Sequence, residues 1–179
     1  MLRRSRSATP AVAVLACATL LAGCFGGGPE NAPAPGAQLL VPVTGIRPGQ
    51  LHDSFSDARS GGRTHEAIDI PAPKGTPVLA AASGTIARMS QSTLGGTTLY
   101  ERDADGRTVY YYAHLSGYAP GAKVGREVKR GEVIAYVGDT GNAGPGNYHL
   151  HFGVTIVTDR KRVSGGVAVN PYPLLRGRS

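Results

Sequence analysis

From about residue 39 onward, short apolar runs alternate with glycine or proline breaks. The runs are AIDIPAP (67–73), TPVLAAASGTIARM (76–89), TTLYERDADGRTVYYYAHL (97–115), REVKRGEVIAYVGDTG (126–141) and HLHFGVTIVTD (149–159). Their apolar positions recur with a period of two or as compact β-branched stretches, and none holds a helical period for more than about two turns. Each therefore reads as a strand or hairpin. Within DADGRT, Asp105-Gly106 suits the φ > 0 of a tight hairpin turn. No internal repeat is visible. The pattern predicts a mainly β fold, a compact antiparallel domain.

The same period places polar side chains. In NYHLHFGVTIV (147–157), residues i and i+2 share a face, so His149 and His151 reach into one space while Leu150 and Phe152 point the other way. That arrangement suits a shared metal or a ligand-and-base pair, and equally a pair of half-exposed histidines at a core edge. In YYYAHLS, alternation puts Tyr110, Tyr112 and His114 on one face and Val109, Tyr111 and Ala113 on the other. This could be the wall of a polar cleft or a buried aromatic cluster. In HEAID, a fully extended chain would hold His65 and Asp69 ~13 Å apart at about 3.3 Å per residue. A shared site there needs a bend, and the alternative is a local hydrogen bond between the two. Pro71 and Pro73 exclude a helix running through the motif. His52 stands alone in QLHDSF, and its role is open.

The ends change the picture. MLRRSRS is basic, and the uncharged apolar stretch behind it is short for a membrane span of roughly 18 to 20 residues, which reads as a secretory leader. It closes on LLAGC, which resembles a bacterial lipobox. We therefore expect residues 1–23 to be a lipoprotein signal peptide and Cys24 to carry the lipid. A Gly/Pro/Ala-rich tether follows over 24–38, and one folded domain over 39–179. Phe25 rather than aspartate follows the cysteine, the pattern that goes with the outer membrane in Gram-negative lipoproteins. The expected location is the cell envelope, anchored at the outer membrane and facing the periplasm.

Composition then narrows the chemistry. Cys17 and Cys24 are the two cysteines, so the expected domain has no thiol ligand or disulfide. Losing Arg3, Arg4 and Arg6 with the leader leaves 16 basic against 12 acidic side chains. That net +4 is too mild to argue for a nucleic-acid partner. GDTGNAGPGN lacks the lysine and Ser/Thr of a P-loop, and no G-x-S-x-G elbow is present. What remains is a carboxylate and four imidazoles beside strand-like segments. That is enough for a hydrolytic zinc site, which takes three protein ligands and further groups for proton transfer.

RTHEAIDIPAPKGTPVLAAASGTIARM, YYAHLSGY, VKRGEVIAYVGDTGNAGPGNYHLHFGV and VNPYPLL together resemble the lysostaphin-type (LytM-like) zinc metallopeptidases. These carry H-x3-D, Y-A-H-L and H-x-H motifs in that order, and the resemblance covers about residues 51 to 175. It implies a β domain with a substrate groove that hydrolyses peptide crosslinks in peptidoglycan, with the D-Ala to diaminopimelate crosslink favoured. It implies one Zn2+ held by His65, Asp69 and His151, with His149 and His114 as catalytic histidines that do not bind the metal. His149 would orient or deprotonate the attacking water and later protonate the leaving amine. His114 would stabilise the oxyanion, with Tyr112 a secondary candidate in substrate binding. The chain departs from the common pattern at Ala67, where many relatives have glycine and where we expect φ < 0. It departs again at Gly153, where glutamate is common, and at an insertion-like GNAGPGNY before His149. The rival implied function is a non-catalytic LytM-like regulator that activates amidases as a protein partner. Those relatives usually have broken zinc motifs, whereas all five residues stand here.

Overall fold

A computed structural model describes residues 38–177. The expected leader, Cys24 and nearly all of the tether lie outside the described residues. Among the described residues, no helix is long and apolar enough to cross a membrane.

The expected antiparallel β architecture is present. A two-stranded ribbon, β1 (Ala58–Arg59) with β2 (Arg63–Thr64), stands apart from a nine-stranded sheet. The sheet comprises β3 (Ile68–Pro71), β4 (Pro77–Leu79), β5 (Gly84–Ser92), β6 (Gly96–Asp103), β7 (Thr108–Tyr118), β8 (Glu127–Val128), β9 (Val133–Val137), β10 (His149–Ile156) and β11 (Val167–Val169). Its main path runs β11-β10-β7-β6-β5-β8, with β3 on β10, β9 on β7 and β4 on β9. Every pairing is antiparallel. Gly106 sits at φ 72 in the β6–β7 turn, as Asp-Gly predicts.

Period-two burial fixes which face is which. Ile68, Ile70, Leu150 and Phe152 are buried in the core with Leu99, Tyr112, Leu115 and Ile134. Asp69, His149 and His151, which alternate with them, therefore project to the other side. Register reinforces this, because His151 lies directly opposite Asp69 on β3 and Ala113 on β7.

Beside the site, alternation fails on β7. The β6–β7 register shifts between Thr97 and Leu99, so Ala113 and His114 fall in the interval where β6 offers Thr98 alone. His114 has φ 61 in this bulge. A bulge bends its strand and re-aims a side chain. His114 consequently leaves the face of Tyr110 and Tyr112 and joins Tyr111 and Ala113 on the groove side. The expected grouping of Tyr110, Tyr112 and His114 is thus corrected.

The β1–β2 ribbon, β11 and a short helix fall outside the expected runs. Helix α1 (Pro171–Arg176) begins after Asn170, whose side-chain oxygen accepts from the Tyr172 N–H at 2.9 Å, and Pro171 fills its first turn. That is the usual grammar of a helix start. Its Leu175 is fully buried against the sheet.

Candidate active site

The H-x3-D motif closes because the chain bends at Glu66, which takes φ 57. Ala67 is not among the positive-φ residues, so the expected φ < 0 there holds. Ser54 locks the bend from outside the motif. Its carbonyl accepts from His65 Nδ1 at 2.8 Å, and its hydroxyl accepts from the Asp69 N–H at 3.2 Å.

The result is a tight triangle. His65 Nε2 lies 3.0 Å from Asp69 Oδ1 and 3.0 Å from His151 Nδ1, and His151 Nδ1 lies 3.1 Å from Asp69 Oδ1. A carbonyl only accepts, so the Ser54 contact fixes the hydrogen of neutral His65 on Nδ1 and leaves Nε2 with a bare lone pair. The carboxylate oxygen is also an acceptor. At most one hydrogen, on His151 Nδ1, is then available for three contacts. Three electron-pair donors aimed at one another fit a cation. Bonds of about 2.0–2.1 Å in a tetrahedral site set donors roughly 3.3 Å apart, close to these separations. Nitrogen and oxygen donors without thiolate suit zinc. The residues fit the ion that the sequence implies.

Electrostatics favours the binding forms. Burial works to raise the Asp69 carboxyl, but His151 and His65 against it hold it far below the ordinary carboxylate range. Burial pushes the His151 imidazole down, with Asp69 opposing. An ionised carboxylate and neutral imidazoles are the states that ligate metal. Asp69 is anchored from behind as well, since Arg59 Nη2 meets its second oxygen, Oδ2, at 2.5 Å. That leaves Oδ1 to the triangle.

Two more imidazoles complete the cavity, which has a volume of about 340 Å³. The rings of His114 and His149 are 4.8 Å apart, and His114 is 5.6 Å from the His151 ring. His114 Nδ1 donates to the Thr140 carbonyl at 2.8 Å, and His149 Nδ1 to the Asn147 carbonyl at 2.9 Å. In its neutral form each ring thus presents an unprotonated Nε2. That of His149 is 3.7 Å from Asp69 Oδ1. Burial pushes the His114 imidazole down to about 4, so it is neutral at physiological pH.

All five expected histidine and aspartate residues converge. Tyr112 does not. It is fully buried, donates to Glu101 Oε2 and accepts from the Ala81 N–H, so the expected substrate-binding role is corrected. Tyr111 is the tyrosine at the groove, its ring edge-on to His151 at 5.8 Å. His52 is exposed and does not line the cavity. Ser54, Arg59, Thr140 and Asn147 escaped the sequence reading. The GNAGPGNY segment does form a rim, through Asn142, Ala143 and Asn147.

Close backbone packing holds that rim in place. A Cβ on Gly138 would fall 2.4 Å from the Ser116 nitrogen and 2.8 Å from the His114 carbonyl oxygen. Only glycine lets the 138–143 loop approach the bulge closely enough for Thr140 to reach His114.

A His-Asp-His cluster fit for a metal, two further histidines and a groove on an antiparallel sheet define a metallopeptidase of the lysostaphin (LytM-like) type. Residues 63–171 match peptidase family M23, and the chain belongs to that family. It is 37% identical over 130 residues to the L-Ala--D-Glu endopeptidase of Bacillus subtilis (strain 168), covering 69% of this chain and 38% of that protein. It is 38% identical over 110 residues to the DD-carboxypeptidase/endopeptidase Mpg of Neisseria meningitidis serogroup B, covering 61% of this chain and 22% of that protein. The match thus spans well under half the length of either relative. Among solved structures, the catalytic domain of lysostaphin from Staphylococcus simulans superposes with a TM-score of 0.59 at 31% identity, covering 69% of this chain and 90% of that one.

Proposed function

We propose that this chain is a zinc-dependent peptidoglycan endopeptidase that hydrolyses peptide crosslinks, with the D-Ala to diaminopimelate bond as substrate. The observation that carries the reading is the convergence of His65 Nε2, Asp69 Oδ1 and His151 Nδ1 within 3.0–3.1 Å, beside two histidines with bare Nε2 atoms. The name of the Neisseria relative, a DD-carboxypeptidase/endopeptidase, supports a bond between D-centres.

His65, Asp69 and His151 would hold the ion, which supplies Lewis acidity to polarise the scissile carbonyl and to make water acidic near neutral pH. The proton chemistry belongs to the protein. His149 Nε2 takes the proton of the attacking water, because its Nδ1 is committed to the Asn147 carbonyl. That Nε2 lies 3.7 Å from Asp69 Oδ1, directly beside the triangle. The same Nε2–H then donates to the leaving amine. His114, neutral and with Nδ1–H held by Thr140, offers an acceptor at Nε2. It orients the water in the ground state, and a role as oxyanion donor requires its protonated form. The proposal extends to anchoring through Cys24 at the outer membrane, which rests on the LLAGC pattern alone.

The test is mass spectrometry of muropeptides released from sacculi by the zinc-loaded soluble domain. The reading predicts that crosslinked dimers become monomers and that a chelator stops it. Dimers left intact by protein with one zinc per chain would overturn it, and solubilisation that needs an added amidase would favour the regulator.

A further inference from the structure

The ribbon beside the groove breaks a rule of strand pairing. Arg59 on β1 and Arg63 on β2 are directly opposite in register, so their side chains share a face. Like charges in that position are disfavoured, and violations of local rules concentrate at functional sites. Gly61 and Gly62, at φ 75 and 71, make the turn that holds the two arginines together. Both line the cavity, where Asp69 is the lone carboxylate among the described lining residues. The opposite rim carries no charge, with Leu94, Asn142 and Asn147 along it. The groove therefore has one cationic wall and one neutral wall. Asp69 does not offset the cationic side when its Oδ1 is shared with a metal cation, and Arg59 stays pinned to its Oδ2.

We infer that the Arg59–Arg63 ribbon is a carboxylate-recognition element that selects crosslinks with an anion beside the scissile amide. This rests on the endopeptidase reading and deepens it. Diaminopimelate is a diamino dicarboxylic acid. When one amine is acylated in a crosslink, the carboxylate on the same carbon stays free, next to the bond to be cut. An oligoglycine bridge has no charge there, and amidated diaminopimelate is its neutral isostere. Guanidinium groups pair with carboxylates through charge-assisted, often bidentate hydrogen bonds, which a carboxamide matches poorly.

The test uses two synthetic crosslinked peptide dimers that differ in one group, the diaminopimelate carboxylate beside the crosslink as acid or as carboxamide. Binding is measured by calorimetry to zinc-loaded His149→Ala protein, so that the dimers survive. The acid dimer is expected to bind about 10- to 100-fold tighter than the amide. Adding Arg63→Gln should shrink that gap to within about 3-fold, while Arg59 is left to hold Asp69. Should the second substitution prevent folding, salt decides with Arg63 intact: between about 50 and about 500 mM NaCl the acid–amide gap should narrow. Equal affinities for acid and amide, a gap unmoved by Arg63→Gln, or a gap indifferent to salt would each overturn the inference. Preferential binding of the acid dimer by a wild-type, zinc-loaded protein that leaves its crosslink intact would keep the recognition element and sink the hydrolase reading instead.

Discussion

The two faces of the central strands each gather ionisable groups, and they do so by opposite logic. On the core face, Tyr110 donates to Asp103 Oδ2 and Tyr112 to Glu101 Oε2, both at 2.5 Å. Each carboxyl group meets a donor, although Glu101 Oε1 is left without a partner. On the groove face, His65 Nε2 and Asp69 Oδ1 are both acceptors, and His151 Nδ1 brings at most one hydrogen to the three contacts. A structural polar cluster satisfies itself, because an unpaired buried group costs about 1–3 kcal/mol. A functional one stays incomplete until something positive arrives. The contrast separates scaffold from site without appeal to any relative.

The comparison is broken most easily from the groove side. His149→Ala should lower turnover on crosslinked muropeptides by about 10²–10⁴-fold, the worth of a positioned acid–base group. Zinc should remain at one per chain by elemental analysis, since His149 lies outside the triangle. Near wild-type cleavage would remove His149 from the chemistry, and loss of zinc would make it a ligand.

The core face should respond to pH in stability. Burial pushes the Glu101 carboxyl up to about 8, with the Tyr112 hydrogen bond working against it. A carboxyl raised on folding favours the protonated native state, so its contribution is fully present below the unfolded value of about 4.5. It is lost progressively as pH rises, levelling off above 8. The expected decline is on the order of a few kcal/mol over that window. Glu101→Gln should flatten it in chemical denaturation. A slope unchanged by that substitution would mean Glu101 is already ionised in the fold.

Tyr112→Phe should have the smallest effect, about 1–3 kcal/mol of stability, by leaving Glu101 Oε2 and the Ala81 N–H without their partner. Denaturant midpoints should fall while zinc content and turnover per folded molecule hold. A selective loss of activity would return Tyr112 to the site, against its full burial.

Local alternation made much of this legible. HLHF placed its two histidines on the groove and its two apolar residues in the core, as strand geometry requires. The ~13 Å span of an extended H-x3-D motif demanded a bend, which falls at Glu66. What escaped was what alternation cannot carry. The bulge at His114 depends on how β6 registers against β7, and it moved His114 off the face of Tyr112 and onto the groove beside Tyr111. Thr140 and Asn147 hold their histidines through backbone carbonyls, which every residue has, and Ser54 combines its carbonyl with a hydroxyl that meets the Asp69 N–H only in the folded chain. Arg59 had a weak signal, a Gly-Gly hairpin turn between two arginines, but its contact with Asp69 is tertiary.

The central claim is that one cation completes the acceptor triangle. Anomalous diffraction at the zinc edge, on crystals of the soluble domain grown with stoichiometric zinc, tests it most directly. The account predicts one strong peak about 2.0–2.2 Å from His65 Nε2, Asp69 Oδ1 and His151 Nδ1 together, with His114 and His149 outside bonding distance. A peak ligated instead by His114 or His149, or no peak within reach of the triangle, would contradict it.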